Sequence, residues 1–395
     1  MSLPTETLED EPAPTVPRLR DGVRECLLMF LAVRIGLSLL SWAAITVVPV
    51  RTGLPVVPGW AIAPVTQGWR AMLTATERQD SAWFLRIATG GYSSSDGSAA
   101  FFPLFPMMIR ALAWLPGIGP LGAALIISNA CFVGGLVMVH GLTRLEGMSS
   151  HVARTTVLLM AIFPTAFFFM APYTEAPFLL LSVAAFWFAR RNRWGFAALT
   201  GALAALTRSI GVLLVLALVV EAFHRSREDG RSVWPRLAAA AAVAIGPALY
   251  FLYWAVAHDD PWAPLDAQRA WQRVFTFPGT ALLHAVQFAW RYGSYWLIDV
   301  LVVGVVLVAS LAGIRRLRLT YSVYALTSLA LPLFEPFPDR PLLSMPRFVA
   351  VIFPAFWVMA TAVDRRRLPE PLAVGVFAGG YALLATLFVN WWNVF

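Results

Sequence analysis

The stretch "LLMFLAVRIGLSLLSWAAITVVPV", residues 27–50, contains a single charged side chain, Arg34. A second stretch, "LVVGVVLVASLAGI" at residues 301–314, contains none. Neither stretch has the polar face that a helix on the surface of a soluble protein needs. The first is longer than the roughly 20 apolar residues that span a bilayer. These stretches predict membrane-spanning helices and exclude one very large soluble core.

The composition extends this prediction to the whole chain. Hydrophobic residues make up 59% of the sequence and charged residues only 13%, whereas an ordinary soluble domain carries about 25% charged residues. Residues 1–20 are acidic and proline-rich, unlike the basic start of a signal peptide, and are predicted to form a disordered cytoplasmic tail. Residues 21–395 are predicted to form one transmembrane domain. Cys26 and Cys131 lie in apolar runs and indicate no disulfide framework or metal cluster.

The basic residues indicate how the chain crosses the membrane. All 30 are arginines, and they cluster beside apolar segments, which marks those loops as cytoplasmic by the positive-inside rule. The pattern predicts an all-α, multi-pass protein of the plasma membrane with a cytoplasmic N-terminus. About eleven spans fit the apolar segments: 25–50, 119–142, 155–171, 173–189, 194–207, 210–223, 237–257, 294–313, 321–334, 348–363 and 372–392.

The first predicted external loop, residues 51–118, contains an acid in an apolar setting. Residues 69–87 show helical periodicity, which predicts an amphipathic helix on the outer membrane surface with Asp80 in its apolar stripe. A carboxylate there is costly unless it is paired or used. One interpretation is a salt bridge to Arg78, Arg86 or another loop arginine. The other is a general base whose pKa burial raises toward the working pH.

Six segments of the sequence, taken in order, resemble a known family. They are "QDSAWFLRIATGGY" (79–92), "AAFFPLFPMMIR" (99–110), "FPTAFFFMAPYTEAPFLLLS" (163–182), "ALTRSIGVLL" (205–214), "WAPLDAQRAWQR" (262–273) and "SMPRFVAVIFPAF" (344–356). Together they resemble the PIG-V family, the second mannosyltransferase of glycosylphosphatidylinositol anchor assembly. One departure is Gln79, where the family often places tryptophan.

The resemblance implies a glycosyltransferase of the GT-C type in which Asp80 is the catalytic base and the donor is a polyprenyl-phosphate mannose. For eukaryotic members it also implies an alpha-1,6 linkage onto a glycolipid. The residues themselves are compatible, since the sequence has neither an Asp-x-Asp metal motif nor a glycine-rich phosphate loop. Nucleotide sugars are not supplied outside most cells, so the activated sugar is expected to arrive on a lipid. No metal or other cofactor is predicted.

A lipid phosphate is a good leaving group, so one carboxylate is enough to deprotonate the acceptor in an inverting single displacement. A cation should then hold the departing phosphate. Arg347 is the first candidate, with snorkelling to the interface as the alternative. Arg208 is the second candidate, and pairing with an internal carboxylate is its alternative.

Further substrate contacts are predicted from the matched segments. Tyr173 is predicted to contact substrate. Glu175, two positions later, is expected to position substrate or to orient an arginine, and a solvated turn is the alternative. Tyr92 closes the first matched segment and is a third candidate for substrate contact.

Gln268, Arg269 and Trp271 are predicted to contact the acceptor or the donor head group. The alternative is an interfacial amphipathic helix without such a role.

The acceptor is left open as a glycolipid, a polysaccharide or a protein. A flippase or transporter for a lipid-linked sugar is the alternative from another functional class, although it does not account for the acid in the loop. The same fold acting on another lipid-linked sugar, such as arabinose, glucose or an aminosugar, is the enzymatic alternative. No nucleic-acid partner is predicted.

Overall fold

The computed structural model describes residues 22–49, 57, 60, 68–270, 275–334 and 336–392. Over these residues the chain is helical and no strand is found; one isolated β-bridge joins Val57 and Trp60. Eighteen α-helices are described: α1 Val23–Val47, α2 Ala71–Thr74, α3 Asp80–Gly90, α4 Leu104–Ala113, α5 Pro120–Leu145, α6 Ser150–Ala161, α7 Glu175–Arg190, α8 Trp194–Thr207, α9 Leu214–Asp229, α10 Trp234–Ala241, α11 Ile245–His258, α12 Ala263–Ala270, α13 Pro278–Tyr292, α14 Ser294–Gly313, α15 Leu319–Phe334, α16 Met345–Phe348, α17 Phe353–Asp364 and α18 Glu370–Val389. Short 3₁₀ segments lie at Gly68–Arg70, Ser98–Ala100, Ala166–Phe169, Ser209–Leu213, Ala242–Ala244 and Val349–Val351.

Six helical segments of the described chain are long and apolar enough to cross a membrane. A pair of helices, Met345–Val351 and Phe353–Asp364, bends by 74° and would be a seventh. The six are Val23–Val47, Pro120–Leu145, Ser209–Asp229, Trp234–His258, Trp296–Gly313 and Glu370–Val389. The multi-pass prediction agrees with this finding, whereas the count of eleven stays a prediction.

The outer helices present apolar side chains to their surroundings. Leu28, Ile35 and Leu39 of α1 are more than half exposed, as are Leu301 and Val308 of α14. In water such surfaces would favour association, but in a bilayer they contact hydrocarbon at no cost. The centre of the bundle is different, because most residues of α6, α7 and α17 are buried.

Small residues let helices at the centre approach closely. A Cβ on Gly246 of α11 would lie 2.3 Å from the carbonyl oxygen of Ala202 in α8, so only glycine fits there. The contact is less tight at Gly135 of α5, where a Cβ would lie 3.2 Å from a methyl carbon of Leu179 in α7. Close helix approach through small residues is typical of packing within membranes.

Three predicted helices differ from the structure. The predicted span 348–363 is not one straight helix, because the chain bends by 74° between Met345–Val351 and Phe353–Asp364. The predicted span 155–171 is wrong at its C-terminal half, because α6 ends at Ala161 and the chain then turns. Pro164 accounts for this, since proline lacks an amide donor and disfavours helix at the residue before it. The segment that follows includes a 3₁₀ turn at Ala166–Phe169 and packs against the site described below.

The predicted continuous amphipathic helix at 69–87 is also wrong. The chain leaves the helical conformation after Thr74 and re-enters it at Asp80. Trp69 and Leu73 are exposed, while Phe84 and Ile87 are buried, so the predicted apolar stripe does not share one face. The two helices are separated by a turn that holds Glu77 and Arg78 in the interior.

Candidate active site

Asp80 is the first residue of α3, directly after a tight turn. The Ser81 amide donates to the Arg78 carbonyl across 3.1 Å. Gln79 between them has φ 49° and ψ −118°, the values of the first central residue in a type II′ turn. A carboxylate in the first turn of a helix is also favoured by the helix dipole. The turn therefore presents Asp80 at the N-terminus of α3, with its side chain 26% exposed.

Arg347 is the partner of Asp80. Its Nη1 lies 2.6 Å from Asp80 Oδ2. The residue belongs to the four-residue helix α16, which begins after Ser344 in the left-handed conformation (φ 67°). Thr165 donates a 2.7 Å hydrogen bond to the Pro346 carbonyl and so attaches α16 to the segment that follows α6. Asp80 is thus ion-paired, as one interpretation of the sequence held, but with a cation 267 positions further along the chain.

The two arginines that the sequence favoured as partners of Asp80 are used elsewhere. Arg86 pairs with Asp96 and donates to the Gly91 carbonyl. Arg78 is 2% exposed; its Nε donates to the Val389 carbonyl, and its guanidinium lies 4.8 Å from the centre of the Trp391 ring. Burial lowers the pKa of Arg78 to about 10. Its role in the structure is to anchor the turn before Asp80 to the last helix.

Glu175 lies between two arginines. Its Oε1 is 2.6 Å from Nη1 of Arg208 and 3.9 Å from Nε of Arg347. Because Glu175 is 1% exposed, the alternative of a solvated turn is wrong. Of its two predicted roles, the geometry fits that of orienting an arginine. Glu175 is the first residue of α7, where a negative charge is also favoured by the helix dipole.

Arg208 follows the last residue of α8 in extended conformation. It pairs with an internal carboxylate, the alternative that the sequence left open. The ion pair joins Nη1 of Arg208 to Glu175 Oε1. A guanidinium carries five N–H donors, so this pairing does not use all of them. The ring of Phe348 contacts both cations, with its centre 4.6 Å from the Arg208 guanidinium and 5.0 Å from that of Arg347. An aromatic face attracts a cation placed over it.

Together Asp80, Arg347, Glu175 and Arg208 form a row of alternating charges, which we call the charge row. Two carboxylates and two guanidinium groups sum to zero. Asp80 is its most exposed member, with 26% of its side chain accessible against 13% for either arginine and 2% for Glu175. The row is therefore open at its Asp80 end and closed at Glu175.

Tyr173 packs against the charge row and holds its neighbours in place. It is 1% exposed, and its hydroxyl donates to the Arg78 carbonyl across 2.8 Å. Its ring centre lies 5.5 Å from the Arg347 guanidinium, and Phe168 lies at 5.9 Å. The predicted contact of Tyr173 with substrate stays a prediction. Tyr173 joins the turn before Asp80 to the cation opposite it.

Tyr92 is not brought to the charge row. It follows α3, whose 11 residues span about 16 Å from Asp80. Its hydroxyl donates to the Phe101 carbonyl, and its ring packs against Tyr250 and Trp254 of α11. Through these contacts Tyr92 connects the first loop to α11. The prediction that it contacts substrate finds no support in them.

The segment around α12 is only partly described. Gln268 and Arg269 belong to this helix, but their side chains lie outside the described residues, as does Trp271 altogether. The helix contacts the 3₁₀ turn Ser98–Ala100 of the first loop. Their predicted contacts with acceptor or donor stay predictions.

Sequence reasoning missed Arg78 and Phe348 as members of the site. Arg78 looked like one more charge on the polar side of a helix, and only the burial of the turn shows otherwise. Phe348 directly follows Arg347, but nothing in the sequence indicated that a second arginine stacks on the same ring. Among the described residues, no group of three histidine, cysteine or acidic side chains is placed to hold a metal ion.

The site and the arginine-rich loops lie at opposite ends of α7. Glu175 begins this 16-residue helix and Arg190 ends it, about 22 Å away. At the Arg190 end, buried ion pairs join α7 to α9 through Glu221 and to the end of α5 through Glu146. Arg318, before α15, lies on the same cluster. The predicted cytoplasmic loops thus meet at one end of the bundle, and the charge row lies toward the other.

Comparison with known families and structures gives consistent results. A family model described as Mannosyltransferase (PIG-V) matches residues 24–233. ArnT from Cupriavidus metallidurans bound to undecaprenyl phosphate is similar in structure, with a TM-score of 0.53, 14% identity, and coverage of 92% of this chain and 76% of that one. The apo state of the same protein gives a TM-score of 0.51 over the same coverage. A search of curated proteins finds no match. The fold is thus similar to that of ArnT.

Proposed function

Because this chain belongs to the PIG-V mannosyltransferase family, we propose that it is a membrane glycosyltransferase that moves mannose from a polyprenyl phosphate to an acceptor hydroxyl. The observation that carries the proposal is the ion pair of Asp80 with Arg347 at the open end of the charge row. A carboxylate that can accept a proton and a cation that can pair with phosphate lie side by side there. That pair is what a single displacement at an anomeric carbon bonded to phosphate requires.

The donor class is supported by the fold. ArnT, with the same fold, binds undecaprenyl phosphate. In this chain Arg347 and Arg208 both present guanidinium groups, which pair with phosphate oxygens and keep their charge. Each guanidinium carries five N–H donors, so the ion pairs with Asp80 and Glu175 do not use all of them.

The reaction needs no group beyond these residues. Asp80 accepts the proton of the acceptor hydroxyl while that oxygen attacks the anomeric carbon. The bond from the anomeric carbon to the phosphate oxygen breaks, and the electron pair stays on the phosphate. Arg347 stabilises the charge that develops there, and Arg208 adds a second cation. Attack opposite the leaving group inverts the anomeric configuration.

We place the reaction on the external face of the plasma membrane, with the N-terminus in the cytoplasm. The separation of the charge row from the arginine-rich loops along α7 supports this orientation. Because α7 is about 22 Å long and the hydrocarbon core about 30 Å thick, the row would lie slightly below the outer surface. A lipid phosphate could reach it from the bilayer and an acceptor from outside.

The proposal is tested by transfer of labelled mannose from synthetic polyprenyl-phosphate mannose in membranes that contain the protein. Wild type should transfer the label, and Asp80→Asn should lose at least about 10²-fold in rate, the contribution of a positioned general base. Glu77→Gln is the matched control, since it removes a buried acid three positions earlier that makes no ion pair with Arg347. Its rate should stay close to that of wild type.

Equal transfer by wild type and Asp80→Asn would remove Asp80 from catalysis. No transfer by wild type, with polyprenyl phosphate still bound, would favour another sugar or a transporter of lipid-linked sugars. Mass analysis of the labelled product identifies the acceptor in the same experiment. A glycolipid, a polysaccharide and a protein acceptor separate by extraction.

A further inference from the structure

The position of Arg347 sets a condition on how the site can bind phosphate. In the charge row this cation is already neutralised, with Asp80 at 2.6 Å and Glu175 at 3.9 Å. Arg208 is neutralised by the same Glu175. A phosphate that enters the row therefore meets two cations and two carboxylates, with no net positive charge while Asp80 is ionised.

The reaction itself changes this balance. When the acceptor oxygen bonds to the anomeric carbon, its proton goes to Asp80, which becomes neutral. At the same time the phosphodiester of the donor becomes a phosphate monoester and gains one negative charge. One unit of negative charge thus moves from Asp80 to the phosphate. Arg347 lies beside Asp80 and, in the proposed reaction, also binds the phosphate. The sum of charges in the site does not change.

We propose that Arg347 is a counter-ion shared by Asp80 and the lipid phosphate, which compete for it before the reaction and exchange it as the sugar is transferred. This inference rests on the proposed function, because it takes the phosphate of that donor as the second anion. Under this inference, ionised Asp80 weakens the binding of the product polyprenyl phosphate. Polyprenyl phosphate is then released when Asp80 loses its proton and takes Arg347 back.

The rest of the row keeps Arg347 in place during this exchange. Glu175 is buried and holds the Nε side of the guanidinium, while the rings of Tyr173 and Phe348 lie at 5.5 and 5.0 Å. Only the Nη1 side faces the more exposed carboxylate. The phosphate is therefore expected to reach Arg347 on the Asp80 side, where the two anions must share one cation.

The test measures binding and needs no transfer. Purified full-length protein in detergent is titrated with undecaprenyl phosphate, and with undecaprenol as the uncharged control for the lipid tail. Asp80→Asn keeps the shape of the side chain and removes its charge. It should bind undecaprenyl phosphate about tenfold more tightly than wild type, because Arg347 is then free to pair with the phosphate. A charge within 4–6 Å of an ionisable group typically shifts its pKa by one to three units, and one unit corresponds to a tenfold change in an equilibrium constant. Undecaprenol should bind both proteins equally.

Two further variants make the result specific. Glu77→Gln, the loop acid that makes no ion pair with Arg347, should bind undecaprenyl phosphate as wild type does. In the double variant Asp80→Asn with Arg347→Gln the tighter binding should disappear. Asp80→Ala serves in place of Asp80→Asn if the latter does not elute as a single folded species.

Unchanged or weaker binding of undecaprenyl phosphate by Asp80→Asn and Asp80→Ala would overturn the inference, even if wild type transfers mannose. Tighter binding that survives the loss of Arg347 would overturn it as well. Conversely, tighter binding by Asp80→Asn in a protein that transfers no mannose would leave the shared counter-ion standing and reject the proposed sugar transfer. The two proposals therefore fail by different results.

Discussion

The Ser81 amide and the Arg78 carbonyl are joined by a 3.1 Å hydrogen bond that closes the turn before Asp80. The turn requires Gln79 to adopt φ 49° and ψ −118°, a conformation that residues with a Cβ rarely adopt. The Ser81 hydroxyl and the Tyr173 hydroxyl donate to the same carbonyl of Arg78. Three hydrogen bonds to one oxygen thus hold a strained residue next to the proposed base.

We expect Gln79→Gly to stabilise the protein by about 1 kcal/mol, because glycine adopts this conformation without steric cost. Gln79→Ala is the matched control, since it removes the same side chain but keeps the Cβ. The measurement is the thermal unfolding midpoint of both variants in the same detergent. Equal midpoints for the glycine and alanine variants would show that the backbone at Gln79 is not strained.

Glu77 predicts how stability depends on pH. It is 3% exposed, and burial raises its pKa above the ordinary 4.5, although the Trp60 indole donates to it and Arg78 is near. When folding raises the pKa of a carboxyl group, the folded protein binds more protons than the unfolded chain at any pH between the two pKa values. Its contribution to stability is therefore lost as pH rises from about the unfolded pKa through the folded one. Ionised Glu77 is thus a cost at neutral pH.

Glu77→Gln removes this cost and keeps an oxygen that accepts from Trp60. We expect the variant to gain stability over wild type at about pH 7.5 and to lose that advantage near the unfolded pKa of about 4.5. Thermal unfolding at the two pH values measures the difference. An advantage that is the same at both would mean that the Glu77 charge does not contribute to it.

Asp80, Arg347, Arg208 and Glu175 could be singled out from the sequence alone. Asp80 stood out because an acid in an apolar pattern must be paired or used, and the others came from the family resemblance and from the arginine pattern. What could not be predicted was which charges pair. Hydrophobic periodicity carried no sign of the turn at Gln79, since it reports which residues are apolar and not where the backbone reverses. Arg78 and Arg86 therefore looked nearer to Asp80 than Arg347 did.

The arginine-rich end of the bundle is held by a buried acid. Glu221 is 0% exposed, lies 3.1 Å from Arg190, and accepts a 2.8 Å hydrogen bond from Thr320. Arg318 lies 3.7 Å away. Removing Glu221 leaves Arg190 paired with Glu146 alone, so part of the buried charge is no longer compensated. We expect Glu221→Gln to lose about 2 kcal/mol of stability.

Glu228, an acid of the same cluster, is the matched control. Its side chain is 42% exposed although it pairs with Arg225 and Arg318. Glu228→Gln should therefore change stability by less than about 1 kcal/mol. Thermal unfolding compares the two variants, and mannose transfer at a temperature where both are folded should match wild type. Equal destabilisation by the two substitutions would contradict the dominant role of burial.

Asp299 and Arg340 position the segment that carries Arg347. Both Asp299 oxygens accept from the Arg340 guanidinium, at 2.6 and 2.8 Å, and Asp299 is 1% exposed in α14. From Arg340 the backbone proceeds through short turns to α16, with the Leu343 amide donating to the Arg340 carbonyl and the Arg347 amide to the Ser344 carbonyl. A weaker pair at Arg340 would let Arg347 shift relative to Asp80.

We expect Asp299→Asn to lower kcat/KM for the lipid-linked donor by about tenfold, because small displacements of a positioned group reduce rates strongly. Steady-state transfer gives kcat and KM, and thermal unfolding is measured alongside. Glu221→Gln, which acts at the other end of α7, is the matched control and should lower stability without changing kcat/KM. If Asp299→Asn also lowers stability with kcat/KM unchanged, the pair supports the fold alone and does not position Arg347.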